Sequence, residues 1–363
     1  MRYRQLGRSG LRVSELTLGT MGFGGSGRFA DVGSLGVAEA GRQLDRAIEA
    51  GVNLVDTANA YSGGGSEEVL GEALRGRRDR LLVATKVRFP TGPGRNDEGL
   101  SRHHLIAACE ASLRRLQVDH IDLLQVHEWD GATPLEETVE ALDSLVAAGK
   151  VRYLGCSNFS GWHLAKSLGV AERLNRQPYV SSQIYYSLEC RDAEYELLPA
   201  AVDGGLGVLV WSPLAAGRLT GKYRRGQPAP TGVRTESKTA DQLPIRDEER
   251  LYDVVDALVE VAQAHATSPA QVALAWLLTR PGVTSLIIGA RNDDQLADNL
   301  AAAALELAPE EVEQLERLSR PPLLYPYWHQ AASIANRLSP ADRVLLDNYR
   351  EPAGTSASPP TSA

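Results

Sequence analysis

Eight short apolar runs punctuate the chain, and between them apolar residues recur with the period of a helix. The runs are Glu15–Leu18, Asn53–Val55, Leu81–Thr85, Ile121–Val126, Val151–Cys156, Val180–Ile184, Gly207–Val210 and Ser285–Ile288. Several are nearly continuous in apolar residues, the mark of strands covered on both faces. The helical signature lies in Leu44, Ala47 and Ile48 before Gly51, in Leu105, Cys109 and Leu113, and in Val139, Leu142 and Val146 before Gly149. Glycine just past such a stretch suits the left-handed residue that ends a helix. Ser268-Pro269 reads as an N-cap and first helical residue ahead of Val272, Ala275 and Trp276. Strand and helix in alternation predict parallel strands. Eight of them predict closure into an α/β fold of the (β/α)8 TIM-barrel type, with extended loops after the strands.

Some segments break this rhythm. Met1–Ser14, with Gly7 and Gly10 bracketing a turn-rich stretch, predicts a short hairpin that caps the barrel floor. Lys222–Asp247 is a long polar connection, and a loop of that length inside a compact domain is usually a lid or binding loop. Arg320–Gln330 combines prolines that exclude a regular helix with Leu323, Leu324, Tyr325, Tyr327 and Trp328, which need burial. They find it on the barrel's own mouth or against another copy in a homo-oligomer. Glu351–Ala363, dominated by Pro, Ser, Thr and Ala, cannot bury enough apolar surface to order itself. The expected organisation is one barrel domain over residues 1–350 and a disordered tail over 351–363. Gly22-Phe23-Gly24-Gly25-Ser26-Gly27 matches a GxGxxG dinucleotide fingerprint, but such a turn opens straight into a helix. Here the chain runs into the glycine-punctuated Arg28–Gly36, so a loop at the barrel mouth is expected.

Composition narrows the function classes. A chain of 363 residues with 43% hydrophobic content can bury one large core without a second domain. With 38 basic and 46 acidic residues the net charge is -8, which argues against nucleic acid and anionic lipid as partners. Cys109, Cys156 and Cys190 stand apart with no CxxC, which fits a reducing cytoplasm. Met1–Gly7 lacks the apolar stretch of a signal peptide, and no run of about 18 apolar residues is present to span a membrane. The seven histidines show neither an HxxxH pair nor carboxylate spacing typical of a ligand set, so no metal site is expected. His103-His104 reads as the solvated start of a helix.

Several predicted strands end in residues that are poor choices for packing: Asp56 and Tyr61 after the second, Lys86 after the third, His127 after the fourth. In a parallel barrel, active-site groups come from the carboxyl ends of strands. Taken singly, each has a structural reading of equal weight: an Asp56 to Lys86 ion pair, a core Tyr61, a supporting His127. Four in register at strand ends favour chemistry.

These four residues resemble the Asp, Tyr, Lys and His tetrad of the aldo-keto reductases. Further matches are Gly19-Thr20-Met21, Gly155-Cys156-Ser157-Asn158-Phe159, Gln183, Trp211-Ser212-Pro213-Leu214 with Gly217, and Gly289-Ala290-Arg291 with Gln295 and Asn299. The similarity runs in order from Tyr3 to Leu318 and is nearest the bacterial barrel branch related to potassium-channel β subunits. It implies a (β/α)8 barrel that uses NADPH without a Rossmann domain and reduces an aldehyde or ketone to an alcohol.

The chemistry agrees with that implication. Carbonyl reduction takes a hydride donor, a proton donor for the developing alkoxide and polarisation of the oxygen. Tyr61 is the expected acid. A free phenol, with a pKa of about 10, is mismatched to neutral pH, and an ammonium beside it favours the ionised form while burial opposes this. Asp56 would keep Lys86 charged and oriented, and His127 as a neutral imidazole would donate to the substrate oxygen.

For the cofactor, the resemblance implies Gly19, Thr20, Met21 and Asp56, with Ser157, Asn158 and Gln183 offering hydroxyl and amide groups to a nicotinamide carboxamide. Trp211, where many relatives carry Tyr, would stack on the nicotinamide ring, followed by Ser212, Pro213, Leu214 and Gly217. Beyond Gly289, Arg291 would hold the adenosine 2′-phosphate of NADPH by two hydrogen bonds, which NADH cannot offer. Gln295 and Asn299, four apart on one helix face, would meet the adenine.

The substrate stays open at this point. Loops after the strands should supply Phe23 and Phe29, Arg88 and Phe89, Glu128 and Trp129, and part of Lys222–Asp247. Phe23, Phe29 and Trp129 would embrace an aryl aldehyde, whereas Arg88 and Glu128 would bind the hydroxyls of a keto-sugar. A cofactor-sensing regulatory or partner subunit that binds NADPH with little turnover is the alternative class, and the complete tetrad favours the enzyme.

Overall fold

The computed structural model describes residues 1–228, 230, 234–236, 243, 245–333 and 337–349. The predicted tail and much of the connection between Lys222 and Asp247 lie outside the described residues. The strands are β1 Tyr3–Gln5, β2 Arg12–Ser14, β3 Leu16–Gly19, β4 Leu54–Asp56, β5 Leu82–Val87, β6 Ile121–Val126, β7 Val151–Ser157, β8 Tyr179–Tyr185, β9 Gly207–Trp211 and β10 Val283–Ile288. The helices are α1 Val37–Glu49, α2 Gly65–Ala73, α3 Arg102–Leu116, α4 Leu135–Ala147, α5 Gly161–Leu174 and α6 Leu197–Gly204. They continue with α7 Glu248–Ala264, α8 Pro269–Leu278, α9 Asp293–Ala301, α10 Pro309–Ser319, α11 Tyr327–Ser333 and α12 Pro340–Leu346.

Strands β3 to β10 close into a parallel barrel in the order β10-β3-β4-β5-β6-β7-β8-β9, so all eight predicted apolar runs become barrel strands. The helices start and stop where the local chemistry directs. Ser268 accepts from Gln271 N with Pro269 at the first helical position of α8, and Gly51 takes φ +90 after α1. The GxGxxG stretch is a loop, and α1 begins only at Val37.

The period of two along each strand decides what enters the barrel. On β5, Val83 and Val87 pack outward with the helices, whereas Ala84 faces inward with Leu54, Leu123 and Leu209. One step further toward the carboxyl end, the same inward rows present Asp56, Lys86, Gln125 and Gln183, which hydrogen-bond one another. An apolar layer therefore supports a polar one. The floor is completed by the antiparallel β1–β2 hairpin, whose Leu6 and Val13 join the inner apolar cluster. Gly7 (φ +58) approaches the sheet so closely that a Cβ there would lie 2.5 Å from Val180 O.

Two expectations require correction. His103 is exposed, but His104 is buried, because it heads the row Ala108, Ser112 and Leu116 on the inner face of α3. Burial pulls the pKa of its imidazole down. In the Arg320–Gln330 segment, Pro326 does not exclude a helix: α11 begins directly after it, where a missing N–H costs nothing. Nor are all its apolar residues covered, since Leu324, Tyr325 and Trp328 are 53%, 75% and 52% exposed. The segment is tied near the start of α6: Tyr195 Oη donates to Pro322 O at 2.5 Å, and the Tyr195 and Tyr327 rings lie 5.6 Å apart. Among the described residues no helix is long and apolar enough to cross a membrane.

Candidate active site

Asp56 ends β4, and the chain then rises through Thr57–Ala60 to Tyr61, the first residue of a tight turn before α2. Ser62, Gly63 and Gly64 in that turn have φ of 52, 65 and 100. Two of the three are glycine, the residue that tolerates this region without a steric penalty. Lys86 stands near the end of β5 and is fully buried. Its ammonium donates to Asp56 Oδ1, to Thr57 O at 2.9 Å and to Tyr61 Oη at 3.4 Å. Burial alone would lower its pKa, but the charge of Asp56 and the phenol of Tyr61 outweigh burial, and the pKa is raised above 10.5. The second oxygen of Asp56 accepts from Gln125 Nε2 at 3.1 Å and Gln183 Nε2 at 2.9 Å. The carboxylate thus meets one donor cation and two amides.

His127 completes the group. Its ring meets Tyr61 edge-on at 5.9 Å and Phe89 at 4.6 Å, and both Tyr61 and His127 border a cavity of about 700 Å³. Lys86 itself lies beneath the cavity wall and acts on the cavity only through Tyr61 and Asp56.

The cavity runs from Tyr61 to the start of α9, and the sequence-predicted cofactor residues border it: Gly19, Thr20, Met21, Ser157, Asn158, Gln183, Trp211 to Leu214, Gly217, Gly289, Arg291, Gln295 and Asn299. Gly19 is required by close packing, as a Cβ there would sit 2.8 Å from Ile287 Cγ2. Ser157 Oγ is buried and has no hydrogen-bond partner among the described residues, an orphan that an amide ligand would satisfy. Trp211 stacks on Tyr185 with ring centroids 4.9 Å apart and donates from Nε1 to Asn158 Oδ1 at 3.1 Å, which fixes its plane. Asn158 Nδ2 in turn donates to His127 O at 3.0 Å. Ser212, Ala215 and Ala216 all take positive φ beside this wall, backbone strain of the kind that clusters at ligand sites. At the far end Gln295 Oε1 accepts from Arg291 N at 3.0 Å and Asn299 Nδ2 donates to Gly289 O at 3.3 Å. These two side chains therefore brace the β10–α9 turn as well as border the cavity.

Sequence comparison agrees with this geometry. The model of the aldo/keto reductase family matches residues 15–320. The chain belongs to the aldo/keto reductase family. An "uncharacterized oxidoreductase YrpG" of Bacillus subtilis is 42% identical over 322 residues, covering 85% of this chain and 93% of that protein. A "probable voltage-gated potassium channel subunit beta" of Oryza sativa is 38% identical over 87% of this chain and 96% of its own. A "versiconal hemiacetal acetate reductase" of Aspergillus parasiticus is 34% identical over 90% of this chain and 99% of its own. This aldo/keto reductase is thus of the oxidoreductase class, in a family that uses nicotinamide cofactors.

Two of the substrate-pocket residues expected from the sequence do not border the reductase cavity. Arg88 turns aside, with Nη1 3.7 Å from Glu128 and its guanidinium 5.2 Å over the Phe89 ring. Trp129 turns outward to α5, stacking on His163 at 4.1 Å and meeting Phe159 and Trp162 edge-on, so that its ring packs among three others there. Phe23, Phe29, Phe89 and Glu128 do border it. Two residues were missed. Gln125, opposite Lys86 in the β5–β6 register, was legible as an amide two residues on from the apolar Leu123, on the same face of its strand. Lys222 borders the cavity with Arg291, and partial burial together with that neighbouring charge lowers its pKa. The length of the Lys222–Asp247 connection pointed to a part of it at the pocket, but nothing in the sequence singled out this lysine.

Proposed function

We propose that this aldo/keto reductase catalyses NADPH-dependent reduction of an aryl aldehyde or ketone to the alcohol, with Tyr61 as proton donor. The observation that carries the reading is the buried Lys86 ammonium, shared between Asp56 and the hydroxyl of Tyr61, which opens with His127 onto the cavity. A raised lysine pKa keeps the ammonium charged at neutral pH, beside the hydroxyl that faces the carbonyl oxygen in this reading. When bound, the reduced nicotinamide supplies the hydride to the carbonyl carbon. Tyr61 gives its proton to the carbonyl oxygen, and His127 orients that oxygen by a hydrogen bond. Trp211, backed by Tyr185, offers a flat face for the nicotinamide ring, and Ser157 and Asn158 border the same wall. Arg291 and Lys222 support NADPH over NADH, as two cations at one end of the cavity suit a phosphate.

The aryl preference is supported by the rings around Tyr61. Phe29 lies 5.4 Å from Tyr61 and Phe89 lies 4.6 Å from His127, whereas Arg88, the side chain expected to hold sugar hydroxyls, stands away from the cavity. The partner-subunit alternative draws on the Oryza sativa relative, named as a probable channel β subunit. The test is NADPH consumption by wild type and Tyr61→Phe on aryl aldehydes, aliphatic aldehydes, dicarbonyls and keto-sugars. Turnover by wild type with a loss of roughly 10² to 10⁴ in the variant supports the reductase. Tight NADPH binding without turnover across the panel supports the partner subunit instead.

A further inference from the structure

Behind the strand that carries Lys86 lies a buried carboxylate that the mechanism above does not use. Glu67, on the first turn of α2, is fully buried. Its Oε1 accepts from Thr85 Oγ1 at 2.5 Å, its Oε2 accepts from Arg115 Nε at 2.7 Å, and Arg115 Nη2 completes the ion pair 2.7 Å from the same oxygen. Thr85 directly precedes Lys86, so strand alternation turns it toward α2 while Lys86 faces the barrel interior. Arg115, on the last turn of α3, is braced by Ser112 Oγ at 3.3 Å. Its stem also lies against Gly64, where a Cβ would be 2.9 Å from Arg115 Cδ. Ser66, beside Glu67, donates to Thr20 O at 2.8 Å and lies 3.1 Å from Thr57 Oγ1. The first turn of α2 is therefore tied to the ends of β3, β4 and β5 at once.

Only Ser62 to Gly65 separate Tyr61 from that anchored turn, and Arg115 presses on the middle of this short link. The Tyr61 to Lys86 contact of 3.4 Å is at the long end of the hydrogen-bond range, so a shift of a few tenths of an ångström would break it. A buried ion pair is a weak source of stability compared with apolar packing, but two directed bonds and an ion pair to one carboxylate define a position sharply.

We infer that Glu67, gripped by Thr85 and Arg115, is a positioning residue that sets the Tyr61 hydroxyl against the Lys86 ammonium; this rests on Tyr61 being the proton donor. The experiment compares Thr85→Val, Thr85→Ser and Glu67→Gln with wild type and Tyr61→Phe. The readouts are kcat and KM for the aryl aldehyde that wild type reduces fastest, NADPH Kd by protein fluorescence, and Tm. Thr85→Val removes the hydroxyl with little change in shape, so it folds even if Glu67→Gln does not. The expected result is a kcat loss of about 10- to 100-fold in Thr85→Val, the scale of a small misplacement of a catalytic group, with unchanged NADPH Kd. Thr85→Ser should restore turnover. Thr85→Val added to Tyr61→Phe should cause no further loss, because the two act on one step. Wild-type turnover by Thr85→Val with only a lowered Tm, beside an impaired Tyr61→Phe, overturns the positioning role alone. Full turnover by Tyr61→Phe overturns the proton-donor reading, and the role of Glu67 falls with it.

Discussion

Replacing Asp56 with Asn keeps the shape of the side chain and removes its charge, leaving the Lys86 ammonium buried beside neutral groups. Thr57 O at 2.9 Å and Tyr61 Oη at 3.4 Å remain as acceptors, so hydrogen bonding is partly preserved and the Coulombic term is isolated. Two unit charges ~4 Å apart in an effective dielectric of about 20 attract by about 4 kcal/mol. Removing one partner of a buried pair costs about 3–5 kcal/mol, so both routes give the same size of effect. Domains of ordinary stability hold about 5–15 kcal/mol, and the variant is expected to stay folded with a clearly lower midpoint. Reversible urea denaturation followed by tryptophan fluorescence measures it. In the cycle with Lys86→Met, removing both charges should recover about 2–3 kcal/mol relative to the sum of the single changes.

The pH dependence supplies an independent sign. In the wild type, Asp56 and Tyr61 raise the Lys86 pKa above the unfolded value of 10.5. The ammonium's contribution is then complete below pH 10.5 and lost only as pH climbs through the raised folded value. Without the Asp56 charge, burial, the largest influence on this lysine, moves the folded pKa below the unfolded one. Between those two values the unfolded chain binds more protons, so the stability of Asp56→Asn should rise with pH while that of wild type, as far as Lys86 is concerned, stays flat. Additivity of the cycle within about 0.5 kcal/mol, or the same stability slope toward alkaline pH in both proteins, would refute the buried ion pair as the force that keeps Lys86 charged.

Other outcomes can be checked more briefly. Arg291→Ala should raise KM for NADPH while leaving KM for NADH nearly unchanged, since the proposed contact is to the 2′-phosphate that NADH lacks; equal effects on both coenzymes in steady-state kinetics would count against the assignment. Gly71→Ala would place a Cβ 2.4 Å from Arg115 O, where α2 meets α3. A loss of about 1–3 kcal/mol is expected by urea denaturation, the range for overpacking a tight contact.

The barrel and its polar layer were legible because both rest on a period of two. Once Leu54, Ala84 and Leu123 are apolar and inward, Asp56, Lys86 and Gln125 two residues on must point inward as well, at the end where the next layer opens to the cavity. The sequence reading still stopped several strands early: it ended the third run at Thr85, whereas β5 continues through Val87. Lys86 was therefore expected on a loop rather than inside a strand. On the inner row of β5 it meets Asp56 and Thr57 at the end of β4, which is where it is buried.

Side-chain direction in the loops was not legible, because no period governs it. Arg88 and Trp129 follow the strands that lead to Lys86 and His127, and position alone placed them at the cavity. Trp129 instead finds Phe159, Trp162 and His163 on α5, and Arg88 finds Glu128. The same holds for charges that meet across long sequence distances. Arg191 Nη2 donates to Glu316 Oε1 at 2.6 Å, and Arg280 Nη1 reaches Glu316 Oε2 at 2.9 Å, with Trp276 beneath Arg280 at 4.8 Å. Such buried clusters exist only once the barrel has brought the later helices beside the loop after β8, and each member alone reads as a solvated surface charge. The tetrad escaped this limit for a physical reason: its members stand at or just past the ends of three consecutive strands, where the parallel register brings them side by side. Residues placed by strand register could be located from sequence, and residues placed by packing could not.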